Sequence, residues 1–324
     1  MERIGIVGAG LIGRAWAIVF ARAGHEVAIH DTDPAALERS LAAAGDALAD
    51  LRAAGLLPGQ EPGEVRARIR PAGSLAEAVA GAAYIQENGP ERVEAKRALF
   101  AEIDRAAPDD AVIASSTSAI LPSRFTADLA GRHRCLVAHP VNPPHLVPLV
   151  ELCAAPWTAP ETVERARLLL DAAGQVPITV RREVDGFILN RLQGALLNEA
   201  LRLIEQGYVT ADDLDKTMSH GLGLRWSFMG PMETIDLNAP AGVADYLDRY
   251  GPFYRGLWAE MQQAACWTPA IAGRIEAERR RDLPADRLAA RQEWRDRRLM
   301  AFLAHRQAMA ERDAEEDAAE PGGS

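Results

Sequence analysis

An α/β domain built on a largely parallel sheet, followed by an all-α domain, is the fold class this sequence predicts. Three observations predict it: short apolar runs alternate with amphipathic stretches through the first half, that texture stops after Arg181, and long helical periodicity takes over beyond it. A length of 324 residues suits two domains. The boundary is placed at Val184, giving a sheet domain at 1–183, a helical domain at 184–310 and a tail at 311–324.

The strand-like runs fall at 4–7, 27–29, 82–85, 111–114, 135–138, 146–152 and 176–180. Helices are expected at 11–23, 34–51, 90–103 and 160–173, with Pro34 and Pro160 at the first-turn position that tolerates proline. From 187 to 204 apolar residues recur at spacings of three and four (Leu189, Leu192, Leu196, Leu197, Leu201, Ile204), so one long helix is predicted, stopped by Gly207. Thr210 and Asp213 resemble a capping box that starts the next helix, and 287–309 reads as the last. The segment from Glu311 is too poor in apolar residues to fold and is expected to be disordered. No internal repeat is present.

The first of these junctions carries chemistry. Gly8-Ala9-Gly10-Leu11-Ile12-Gly13 has the G-x-G-x-x-G spacing, which is weak on its own in a chain with 26 glycines. Its setting makes it informative, because it follows one strand, opens a helix, and precedes a second strand ending at Asp31. Gly8 permits a tight turn, Gly10 lets the backbone approach a pyrophosphate, and Gly13 lets helix and strand pack closely, with Leu11 and Ile12 opening the helix whose N-terminus faces the phosphates. Asp31 suits the ribose hydroxyls and repels a 2'-phosphate, and no arginine follows at once, so NAD is expected over NADP. A Rossmann-like domain for another nucleotide is the alternative.

Composition excludes other partners. The net charge is -10, but residues 311–324 hold six acidic residues and one arginine and so supply half of it. No basic stripe is available for nucleic acid or an anionic membrane, and no apolar run is long enough to span a bilayer. The N-terminus enters a strand pattern at once without a secretory signal, and the three cysteines, Cys135, Cys153 and Cys266, form no C-x-x-C pair. Reduced thiols, a cytoplasmic location and no metal site are expected.

A second constellation lies in His139-Pro-Val-Asn-Pro-Pro-His-Leu-Val-Pro-Leu-Val-Glu151. A histidine that can take a proton and a carboxylate that can orient it, downstream of a nicotinamide site, are the minimum equipment for oxidising an alcohol by hydride transfer. Neutral imidazole is the working base, so oxidation is expected to speed up as pH rises.

These residues, together with Gly13-Arg-Ala-Trp-Ala17, Ser115-Ser-Thr-Ser118, Gly186-Phe-Ile-Leu-Asn-Arg-Leu192, Gly221-Leu-Gly-Leu-Arg225 and Ala289-Ala-Arg-Gln-Glu-Trp-Arg295, resemble the 3-hydroxyacyl-CoA dehydrogenase family, within it the branch of lambda-crystallin and L-gulonate 3-dehydrogenase. The likeness runs from Ile4 to about Met309. It implies His139 as catalytic base, Glu151 as its partner, Ser118 and Asn190 near the reacting oxygen, Asn142 beside the substrate, and Glu91 and Lys96 at the nicotinamide half of the cofactor. Ser118 also fits as an ordinary loop serine, and Asn190 as a buried helix group bonded to backbone.

In the acyl-CoA enzymes the segment after the glycine pair resembles a short turn running directly into Met-Gly-Pro; here Leu224-Arg225-Trp226-Ser227-Phe228 intervenes. Arg225 fits a bidentate clamp for a free carboxylate, or equally a salt bridge between domains or subunits. The resemblance thus implies an NAD-dependent enzyme oxidising the 3-hydroxyl of a small carboxylate of the L-gulonate kind, with L-carnitine, a 3-hydroxyacyl-CoA substrate and a non-catalytic structural role as alternatives. It also implies a homodimer through the helical domain.

Overall fold

The computed structural model describes residues 1–265 and 267–319, with side chains as far as 316. Cys266 and residues 320–324, which the sequence reading had assigned to a reduced thiol and a disordered end, lie outside them. The chain divides into two compact units, one of Met1–Leu189 with Asp296–Ser324 and one of Asn190–Arg295.

The first unit runs β1 (Arg3–Val7), α1 (Leu11–Arg22), β2 (Glu26–His30), α2 (Pro34–Ala53), α3 (Pro62–Ala67), β3 (Ile69–Pro71), α4 (Leu75–Val79), β4 (Tyr84–Glu87), α5 (Val93–Ala106), β5 (Val112–Ser115), α6 (Ser123–Thr126), β6 (Cys135–Pro140), β7 (Leu149–Ala154), α7 (Pro160–Ala172) and β8 (Val176–Val180). The strands form one sheet in the order β3-β2-β1-β4-β5-β6-β7-β8. All neighbours are parallel except β6 and β7. The order reverses direction between β1 and β4, and in open sheets of this kind the crevice at such a reversal, beyond the carboxyl ends of the strands, is where ligands bind.

Two layers cover the sheet. On one face Trp16, Phe20, Leu48 and Leu51 of α1 and α2 pack with Ile4, Ile6 and Tyr84. On the other Phe100 and Ile103 of α5 pack with Ile85, Ile113 and Val137. The central strands are apolar on both sides because both faces are covered, which is why they read as continuous runs rather than alternating ones. The sequence reading omitted β3, α3 and α4. β3 is three residues long with one buried position, Ile69, and the helices flanking it have six and five residues, too short to show a period.

The second unit holds most of α8 (Leu189–Glu205), then α9 (Ala211–Thr217), α10 (Gly223–Trp226), α11 (Pro231–Leu237), α12 (Val243–Met261), α13 (Pro269–Asp282) and the start of α14 (Leu288–Ala319). The hydroxyl of Thr210 accepts the Asp213 amide at 3.1 Å and so caps α9 as its spacing predicted.

Two expectations need correction. The span 184–310 is not one helical unit: Met300 is buried in the sheet core of the first unit, with Leu299, Leu303 and Ala304 packed beside it, because this part of α14 carries the apolar stripe that fits there. Nor is the tail without structure from Glu311, since α14 runs on to Ala319. Alanine and glutamate dominate residues 311–319, and their high intrinsic helix propensity extends the helix where no apolar face does. Among the described residues no helix is long and apolar enough to cross a membrane, and no group of His, Cys, Asp or Glu suits a metal ion.

Candidate active site

The glycine turn lies at the carboxyl end of β1, and its three glycines have different reasons to be glycine. Gly8 has φ of +95°, and a Cβ there would meet the Asn88 carbonyl oxygen at 2.9 Å. At Gly13 a Cβ would collide with the Gly8 carbonyl oxygen. At Gly10 a Cβ would meet no protein atom within 4 Å, so nothing inside the protein requires glycine there. Space kept open by a missing side chain, at the start of a helix with no side-chain cap and no acid in its first turn, is what a bound pyrophosphate needs. Asp31 shapes the same turn: its carboxylate accepts the Ala9 amide at 2.7 Å and the Asp33 amide at 2.9 Å. Leu11 and Ile12 form the exposed and half-buried first residues of α1. The residues present fit a dinucleotide.

Beyond β4 and β5 a buried polar cluster supports the crevice. Lys96 is only 1% exposed, and its ammonium donates to both oxygens of Glu87, at 3.0 and 3.1 Å. Glu87 also accepts from the Ser115 hydroxyl at 2.6 Å and the Gly89 amide at 2.6 Å. Glu91 accepts from the Thr117 hydroxyl at 2.6 Å and the Ser118 and Ala119 amides at 3.0 and 3.2 Å, which holds the loop after β5 that carries Ser118. Lys96 Nζ lies 3.7 Å from the other Glu91 oxygen. Lys96, which the resemblance sets at the nicotinamide half of the cofactor, is in the structure a buried cation between two acids. Glu87 escaped the sequence reading, because a strand glutamate carries no signal until β5 brings Ser115 against it.

His139 and Glu151 meet by strand register. They are directly opposed in the antiparallel β6–β7 pair, so the twelve-residue spacing is the length of the connection between the two strands. His139 Nδ1 lies 2.8 Å from Glu151 Oε2. The other oxygen, Oε1, accepts the amides of Ile188 and Leu189 at 2.8 and 2.9 Å, so Glu151 also satisfies the otherwise orphan donors at the start of α8. Burial alone would raise the Glu151 pKa, but the hydrogen bonds from His139, Leu189 and Ile188 outweigh it and hold the carboxyl below its ordinary range. Glu151 is therefore an anion, Nδ1 carries the proton it accepts, and the Nε2 lone pair of neutral His139 is left for another proton. The turn into α8 is tight: Gly186 and Phe187 have φ of +78° and +49°, and the Phe187 ring packs 5.5 Å from the imidazole.

The full extent of the likeness decides the family. Residues 3–184 match the 3-hydroxyacyl-CoA dehydrogenase NAD binding domain, and residues 186–266 match the C-terminal domain of the same enzymes. The chain belongs to the 3-hydroxyacyl-CoA dehydrogenase family. It is an NAD-dependent dehydrogenase by that membership. The lambda-crystallin homolog of Bos taurus is 44% identical over 92% of this chain and 93% of its own length. The L-carnitine dehydrogenase of Streptomyces griseus is 39% identical over 90% of this chain and 87% of its own. Among solved structures, an NAD+-dependent 5-formyl-3-hydroxy-2-methylpyridine 4-carboxylic acid 5-dehydrogenase is similar with a TM-score of 0.79 and 31% identity, covering 93% of this chain and 97% of that one.

The remaining candidates of this family member are spread more widely. Asn142 is exposed in the loop after β6. Asn190 is the second residue of α8, next in the chain to the Leu189 amide that Glu151 holds, and belongs to the second unit. Arg225 lies in α10 of the second unit, where its charge acts on Tyr246. Tyr246, Tyr250 and Tyr254 stand one helical turn apart on α12, with the Tyr246 and Tyr254 hydroxyls 3.0 Å apart and the Tyr246 and Tyr250 rings 4.7 Å apart. Sequence reading passed over these tyrosines, although their spacing of four was a visible signal.

Proposed function

We propose that this dehydrogenase oxidises the 3-hydroxyl of a small 3-hydroxy carboxylate of the L-gulonate kind to the 3-keto acid. The observation that carries the proposal is the His139–Glu151 pair at 2.8 Å, with Glu151 pinned from its other side by α8. NAD supplies the hydride acceptor. His139 Nε2 takes the hydroxyl proton, while Glu151 fixes the tautomer and stabilises the imidazolium that results. Ser118 and Asn190 position the reacting oxygen, Arg225 clamps the carboxylate, Asn142 borders the substrate, and Gly8 to Gly13, Asp31 and Glu91 hold the cofactor, with Lys96 acting through Glu91. The working form is a homodimer in the cytoplasm. The similarity to lambda-crystallin homologues over nearly the whole chain supports the substrate class.

A second reading, L-carnitine, is favoured by the three tyrosines of α12, of which Tyr246 feels the Arg225 charge, since aromatic faces suit a trimethylammonium group, and by the similarity to L-carnitine dehydrogenases. NADH formation with L-gulonate, L-carnitine, 3-hydroxybutyrate and 3-hydroxybutyryl-CoA offered in parallel tests both. Highest kcat/KM with L-gulonate is expected. Preference for the thioester would remove the carboxylate clamp, and silence with all four while NAD still binds would leave a non-catalytic protein.

A further inference from the structure

A cavity of about 480 Å³ opens in the first unit on the α1 face of the sheet, within the size range of small-molecule sites. It is not part of the cofactor crevice. Arg22, which lines it, is the last residue of α1, so the helix of 12 residues puts it about 17 Å along the axis from the glycine turn. None of the residues assigned above to cofactor or catalysis lines it.

Its chemistry is amphiphilic and cationic. Leu57, Leu146 and Leu303 supply apolar wall, and Arg22 and Arg306 supply guanidinium groups. No carboxylate lines the cavity, and among the described residues neither arginine is ion-paired to one. Arg22 donates one hydrogen bond, to the His145 carbonyl oxygen at 3.0 Å. Arg22 is half-buried, and a guanidinium partly withdrawn from water without an ion-pair partner leaves part of its desolvation uncompensated. The His145 side chain also lines the cavity, and its Nδ1 is buried without a hydrogen-bond partner. Burial, then the neighbouring Arg22 charge, push the His145 pKa down to about 4 against a weaker opposing pull from Asp296, which does not line the cavity; the ring is neutral, and the charged side chains in the cavity wall are Arg22 and Arg306.

We propose that this cavity binds a carboxylate with a hydrocarbon body, its head on Arg22 and Arg306 and its chain along the leucine wall. The head supplies the missing counter-charge, and the chain covers apolar surface left open to water. His145 Nδ1 supplies a further polar contact. The cavity is also joined to the catalytic pair by the chain itself, since His145, Leu146 and Pro148 sit in the connection between the strands that carry His139 and Glu151.

Calorimetric titration of the NADH-bound protein with decanoate tests this, with decanol and inorganic phosphate as separate arms. One saturable site per chain is expected, weakened about tenfold or more by Arg306→Gln and by Gln307→Glu, both at exposed positions, with melting temperatures unchanged, and unchanged by Arg225→Met. Decanol and phosphate are expected to bind more weakly than decanoate. Absence of saturable binding up to about 1 mM would overturn the proposal. So would equal affinity for phosphate, or binding that falls with Arg225→Met and survives Arg306→Gln, which would place decanoate in the catalytic crevice instead.

Discussion

At the scale of single residues, the site turns on which atom carries which proton. Glu151 is anionic because three donors surround it, and that fixes His139 with Nε2 as the free base. His139→Ala is expected to lower kcat by about 10² to 10⁴ while NAD affinity, measured by titration, stays nearly unchanged. A comparable loss of NAD binding would mean that the variant damages the fold rather than the chemistry. The same carboxyl bears on stability. Its folded pKa is depressed, so its contribution is present above the unfolded carboxylate range, about 4.3, and is lost as pH falls through the folded value. Acid unfolding should therefore begin at lower protein stability for Glu151→Gln, with a shallower dependence on pH below about 4.5, and an unchanged acid limb would contradict the hydrogen-bonded anion. Cys135 and Cys153 play no such part: burial pushes both thiols up to about 12.

At the scale of elements, the glycine turn separates internal from external demands. Gly13→Ala forces a methyl into the Gly8 carbonyl and is expected to lower the melting temperature by several degrees, corresponding to about 1–3 kcal/mol of overpacking. Gly10→Ala meets open space and is expected to leave melting unchanged while weakening NAD. Melting curves and NAD titrations of the two variants check the pair, and the reverse pattern would mean that the cofactor does not pass Gly10. Much of this scale was legible beforehand. The turn, its strand, its helix and Asp31 follow from spacing and period, and His139 with Glu151 from chemistry and resemblance. The register that joins them was not, because strand pairing depends on partners remote in sequence. The surroundings of Lys96 were hidden for the same reason, as nothing local shows that Glu87 and Ser115 close around it.

At the scale of the whole molecule, one chain builds two units and returns its last helix to the first. The helix itself was visible in the sequence, but its destination was not, since Leu299, Met300 and Leu303 form an apolar stripe that any core could accept. Met300→Ala is expected to destabilise the first unit by about 2–3 kcal/mol, read as a lower first melting transition. Deletion of residues 311–324 removes an acid-rich helix end with no buried position among its described side chains and should leave that transition unmoved. The central claim is that an imidazole, its Nδ1–H turned toward an ionised Glu151 so that Nε2 faces outward as the base, removes the substrate hydroxyl proton. The most direct measurement is the single-turnover rate of NADH formation from L-gulonate between about pH 6 and about pH 9, for the parent protein and for His139→Ala. A rate that climbs with pH to a plateau in the parent and is lost in the variant is the predicted result; a rate independent of pH, or one that survives without His139, would contradict it.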